Sequence, residues 1–77
     1  MKTMSYFDFK HLYYKKYPSA SYRLGQAFLC CFMKDSSKYH ELWNEEDNSV
    51  AENMIYKLIL DYNWDMMSLH LLNKELL

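Results

Sequence analysis

A chain of 77 residues has room for one domain, spanning 1–77, near the lower limit at which a single apolar core offsets the conformational entropy of folding. With 51% hydrophobic residues, eight Tyr, four Phe and two Trp, the core is expected to be aromatic-rich, yet too small to hide every tyrosine. The net charge of −1 excludes a uniformly basic domain but conceals a split: residues 1–34 carry six cations against Asp8, and residues 35–77 carry nine acids against Lys38, Lys57 and Lys74.

Helical spacing dominates, and one Gly and one Pro are too few for a small sheet protein, so the fold is read as all-α: a compact bundle of three main helices plus one or two short ones. In the first helix Ser5 is the cap, Asp8 lies near the positive end, and Phe9, Leu12, Tyr13, Lys16 and Tyr17 share a face that Pro18 ends. Lys10 and Lys15 fall off that stripe, which makes the solvent side basic.

Ser19 and Ser21 are candidate caps for a second helix, with Leu24, Ala27, Phe28, Cys31 and Phe32 as its stripe and an end near Asp35. Gly25 inside it costs ~1 kcal/mol relative to Ala, so a packing reason is expected: another helix or a ring approaching the backbone. After the turn Asp35-Ser36-Ser37, Tyr39, Leu42 and Trp43 form a short amphipathic piece, followed by an acidic loop from Asn44 to Asn48.

Ser49-Val50-Ala51-Glu52 has the pattern of a capping box, and Ala51, Met54, Ile55, Leu58, Ile59 and Tyr62 continue as the stripe of the main core helix. Asn63 suits a left-handed terminus, and Asp65 is expected to cap a last short turn carrying Met66, Leu69 and Leu72. Residues 73–77 are expected to fray, their leucines able to dock in a vacant groove.

The adjacent Cys30 and Cys31 point about 100° apart in a helix and cannot bridge each other, which fits a reducing compartment. No run reaches the ~18 apolar residues of a membrane span, and the N-terminus lacks a signal-peptide pattern. A soluble, cytoplasmic protein is expected.

The run Ser21-Tyr22-Arg23-Leu24-Gly25-Gln26-Ala27-Phe28 resembles a block in small helical proteins of bacteriophages and prophages, where an Arg-x-Gly-Gln-Ala-aromatic sequence opens a helix. The likeness extends loosely to Leu42-Trp43, Asp47, Ile55, Leu58 and Trp64, about half the chain. It implies a mobile-element accessory protein, a class that includes inhibitors of host defence such as anti-CRISPR proteins.

Three surface features compete with ordinary structural roles. Arg23 and Gln26 flank Gly25 and could grip a phosphate or carboxylate of a partner, or else bond an acid of the C-terminal half. The stretch Lys10 to Tyr17 has cations and rings for nucleic acid, but a pI near 6.3 favours a merely solvated face. Glu45, Glu46 and Asp47, with Asp61 and Asp65, could imitate a phosphate backbone, although acidic loops are usually just soluble.

His11, His40, His70 and the cysteines lack metal-ligand spacing, and Cys31, on the apolar stripe, is expected to be an inert buried thiol rather than a nucleophile partnered by His40. No phosphate-cradling glycines, nucleophile elbow or paired carboxylates occur, so neither enzyme activity nor a cofactor is expected. The leading expectation is a non-enzymatic module that occludes a host or phage protein surface through Tyr14, Tyr22, Arg23, Trp43, Glu45, Glu46 and Asp47. One alternative is a nucleic-acid-binding accessory protein using Lys10, Tyr14, Lys15, Lys16 and Arg23; another is a homodimeric subunit whose surplus aromatics form its interface.

Overall fold

A computed structural model describes residues 2–17, 22–33 and 37–72. The elements in order are β1 (Thr3–Met4), α1 (Tyr6–Lys16), α2 (Leu24–Phe32), α3 (His40–Asn44), α4 (Asn48–Asp61) and β2 (Leu69–His70). The fold is thus a small bundle of three main helices and one short one, as expected, with a two-strand ladder added. The expected caps Ser19 and Ser21, the Asp35-Ser36 turn and the 73–77 tail lie outside the described residues.

α1 begins where the sequence indicates, since Ser5 Oγ accepts the Asp8 amide at 3.0 Å and satisfies one orphan donor. Its last helical residue is Lys16; Tyr17, restricted by the proline that follows it in the sequence, has left the helical region at φ −123° and ψ 69°. Its inner face is Tyr6, Phe9 and Tyr13, with Leu12 half-buried and Lys16 exposed. Tyr6 extends the stripe one turn earlier than the periodicity suggests.

α2 is the central helix, with seven of its nine residues buried. Leu29 joins the expected stripe because α1 covers one side of α2 while α3 and α4 cover others, so a one-sided pattern under-describes it. Phe9 of α1 meets Phe32 edge-on at 5.3 Å and Phe28 at 5.7 Å, which gives the aromatic core. The helix stops at Phe32, before the expected Asp35, with Met33 already extended at φ −121° and ψ 138°.

The Arg23 side chain makes no capping bond to α2; Asn48, the first residue of α4, accepts the Leu24 amide through Oδ1 at 3.3 Å. At the other end, Cys31 O accepts the Leu72 amide at 2.7 Å, and Phe32 shares a hollow with Asn63 and Trp64. Two such end-to-end contacts make α2 and α4 parallel, and the bonds of Tyr6 to Met66 and of Tyr13 to Tyr22 set α1 antiparallel to both.

The expected Ser49 capping box does not form. Asp47 is the N-cap instead, its Oδ1 accepting the Ser49 amide at 2.9 Å, so the helix starts early enough for Asn48 to reach α2 and leaves Glu52 to face α1. Ala51, Ile55, Leu58 and Ile59 are buried as expected, but Tyr62 lies past the helix end, exposed, stacked on Trp64 at 5.0 Å. Asn63 takes φ 56°, and bonds from Asn63 N–H to Leu60 O and from Trp64 N–H to Ile59 O, both 3.0 Å, complete a Schellman terminus.

The expected final helical turn is not helical. Asp65 Oδ1 accepts the Met67 amide at 2.9 Å and Asp65 O the Ser68 amide at 3.0 Å, folding a turn that delivers Leu69 and His70 to β1. The ladder is antiparallel, with Thr3 opposite His70 and Met4 opposite Leu69. Leu69 is buried, Met66 half-buried and Leu72 exposed. Tyr6 N–H to Met66 O at 2.9 Å ties this turn to the start of α1.

Gly25 has the packing reason its position demands: a Cβ there would lie 2.2 Å from Leu42 O and 2.9 Å from Leu42 Cδ1. The obstruction is backbone, so α3 would have to move. Gly25→Ala is therefore expected to destabilise the domain by about 2 kcal/mol or more despite its better helix propensity. Chemical denaturation checks this; a variant as stable as the parent would contradict the close approach.

Candidate interaction surface

Folding brings most of the predicted partner-binding residues to one end of the molecule, where α2 and α4 both begin. Tyr22 and Arg23 precede α2; Glu45, Glu46 and Asp47 precede α4; the Leu24–Asn48 bond holds the two starts together. Arg23 lies 3.9 Å from Glu46 Oε1, and the Glu46 side chain is 85% exposed. The internal alternative for Arg23 is thus realised, but at a distance and exposure where an ion pair contributes little and both groups stay available. Gln26 is half-buried.

The tyrosines there are held by their neighbours. The buried Tyr13 hydroxyl donates to the Tyr22 carbonyl, Tyr17 meets the Tyr22 ring at 5.0 Å, and Tyr22 packs half-buried on the core. Trp43 is half-buried in α3, two residues before Glu45, whose Oε2 accepts the Asp47 amide at 3.2 Å. None of the seven predicted residues is fully buried. Asp47 is committed to capping, which removes it from the list of side chains whose main work is outside.

The acidic residues do not gather as one patch. Asp61 closes α4, 14 residues from Asp47 and therefore about 21 Å along the helix axis, and the Asp65 carboxylate is folded into its own turn. An imitation of a phosphate backbone would have to rest on Glu45, Glu46 and the exposed Asp47, which caps α4 through one carboxylate oxygen.

Tyr14 lies on the seam between α1 and α4, within a network centred on Glu52. Lys10 Nζ is 3.0 Å from Glu52 Oε1, the Tyr14 hydroxyl donates to Oε2 at 2.7 Å, and the Tyr6 hydroxyl donates to the Glu52 carbonyl at 3.3 Å. The same ammonium stands 5.0 Å from the Tyr6 ring centre and 5.8 Å from that of Phe7. A carboxylate thus occupies the middle of the face proposed for nucleic acid. Lys15 and Lys16 remain in the last turn of α1, where cations complement the helix dipole.

Sequence reasoning missed a groove of about 670 Å³ between α3 and α4, floored by Leu42, Met54 and Leu58, with the Tyr39 and Tyr62 hydroxyls in hydrogen-bond contact at one end. No local pattern marks it, because its two walls come from elements separated in sequence. Among the described residues no group of three or more His, Cys, Asp or Glu side chains gathers to hold a metal ion. Burial, reinforced by the neighbouring Cys30, pushes the Cys31 thiol up to about 11, so it stays protonated at neutral pH.

Comparison with protein-family models, curated proteins and solved structures finds no match to this chain.

Burial by itself would raise the Glu52 pKa, but the hydrogen bonds from Tyr14 and Lys10 and the Lys10 charge outweigh it and hold the carboxyl below its ordinary value of 4.5. The contribution to stability is then complete above that pH and is lost as pH falls through the lowered folded-state value. Glu52→Gln should cost up to about 1 kcal/mol at pH 7, given partial exposure, and the gap to the parent should close in acid. Urea denaturation at neutral and acid pH tests this; a gap that widens below pH 4.5 would contradict the network.

Proposed function

We propose that this chain is a small non-enzymatic module that binds another protein, an accessory protein of the phage or prophage kind that its Arg-x-Gly-Gln-Ala-aromatic block resembles, and that it inhibits a host protein in the cytoplasm by covering a working surface. The observation that carries this reading is the convergence of Tyr22, Arg23, Glu45 and Glu46 where α2 and α4 begin, residues separated by more than 20 positions in sequence. Tyrosine and arginine at the centre of a contact, bordered by charge that sets orientation, are the usual composition of an energetic hot spot. The two helix starts are joined by the bond from the Leu24 amide to Asn48, and Asp47 caps α4 beside it. Cys30 and Cys31 are both unbridged, which suits a reducing compartment.

The test exchanges charge without disturbing the caps. The double variant Arg23→Glu, Glu46→Lys keeps an opposite pair at that site, leaves Asp47 in place, and should melt with the parent. In pull-downs from a bacterial lysate the parent should retain one specific protein that the double variant loses, and the purified partner should lose activity when the parent saturates it. A partner retained equally by both, or one whose activity is untouched, would overturn the reading.

A further inference from the structure

The Lys10 ammonium rests in surroundings that do not depend on Lys10 for their shape. Tyr6 and Phe7 stand four and three residues before it on α1, and Tyr14 four after it, so all three share its side of the helix. Long helical side chains lean toward the helix start, which lays the lysine stem back over Tyr6 and Phe7. The ammonium lies 5.0 Å from the Tyr6 ring centre and 5.8 Å from that of Phe7, both within cation–π range, and 3.0 Å from Glu52 Oε1. The carboxylate is oriented independently, because Oε2 accepts the Tyr14 hydroxyl at 2.7 Å. Tyr6 is buried and anchored through its own hydroxyl to the Glu52 carbonyl at 3.3 Å. The Lys10 side chain is 27% exposed, so the place it fills is reachable from solvent.

We propose that Tyr6, Phe7 and Glu52 form an ammonium-binding site which the chain fills with its own Lys10, and which takes a primary alkylammonium ion from solution once that side chain is shortened. The walls set the ligand class. The carboxylate oxygen requires an N–H donor at about 3 Å, and the two ring faces favour positive charge over a neutral group of the same shape. A primary ammonium satisfies both. A quaternary ammonium has no N–H, and its methyl groups hold the nitrogen away from Oε1. A sodium ion is strongly hydrated and has no hydrocarbon to cover the place of the stem. Cutting Lys10 back to Ala removes the atoms from Cγ to Nζ, which together are propylammonium, so that ion is the matching probe. In the parent the tether gives Lys10 an effective concentration in the millimolar range or above, which keeps the site filled from within.

The test titrates Lys10→Ala with propylammonium chloride, following backbone and side-chain resonances by NMR, with sodium chloride and tetramethylammonium chloride at equal ionic strength beside it. Alanine favours helix at this partly exposed position, and circular dichroism checks that the fold is kept. Saturable binding is expected with a dissociation constant on the order of 10–100 mM, as one partly exposed ion pair and two ring contacts allow. The largest shifts should fall on Tyr6, Phe7, Tyr14 and Glu52. Adding Glu52→Gln should weaken binding about tenfold, and Phe7→Leu, at an exposed position, about threefold. Lys10→Met, whose side chain occupies the stem without a charge, should not bind. A response to sodium or tetramethylammonium equal to that for propylammonium would overturn the proposal. So would equal binding by the parent or by Lys10→Met, or binding indifferent to Glu52→Gln.

Discussion

The contact between Gly25 and Leu42 is the constraint from which the rest of the architecture follows. With no Cβ at position 25, the Leu42 carbonyl can rest on the backbone of α2, and α3 lies closer to that helix than any side chain would permit. The approach fixes where α3 ends, hence where the Glu45–Asp47 connection begins and where α4 can start. Asn48 then stands at the head of α2 and accepts the Leu24 amide, a donor that the Arg23 side chain does not cap. One turn later Glu52 is placed to take Lys10 and Tyr14 of α1. The central helix is positioned by one missing methyl and one amide oxygen.

This arrangement also explains how opposite charge along the chain becomes cohesion as well as surface. Lys10 of the basic half and Glu52 of the acidic half meet where both are only partly exposed, and Arg23 and Glu46 meet in the open. The first pair has hydrogen-bonding neighbours and a ring on the cation; the second is long and solvated, so it contributes little to folding and remains open to outside contact. Stability and recognition thus draw on different members of the same charge pattern, and a partner can engage the head of α2 without dismantling what holds α1.

What was legible in the sequence was local. Ser5 three residues before Asp8, Asn63 after the last apolar turn, and a lone Gly within a helical stripe each carry their reason within a few positions, and each performs the role its chemistry suggests. What was not legible depended on distant segments. The cap of α2 comes from a residue 24 positions away, and the ladder joins Thr3–Met4 to Leu69–His70, strands too short to show alternation. The Ser49 box lost to Asp47 for the same reason: both are sound caps, and the contact of Asn48 with α2 favours the earlier start. At the surface, residue type pointed to Tyr22, Arg23 and Glu46, while the Lys10–Glu52 bond was hidden because it joins residues 42 positions apart.

Native-state hydrogen exchange reads the central claim most directly, because it reports how each helix opens. If α2 is the element on which the others are assembled, its amides from Phe28 to Phe32 should exchange only through global unfolding, at one common free energy that is the highest in the molecule. Exchange of those amides through a smaller local opening, at a free energy below that of α1 or α4, would contradict it.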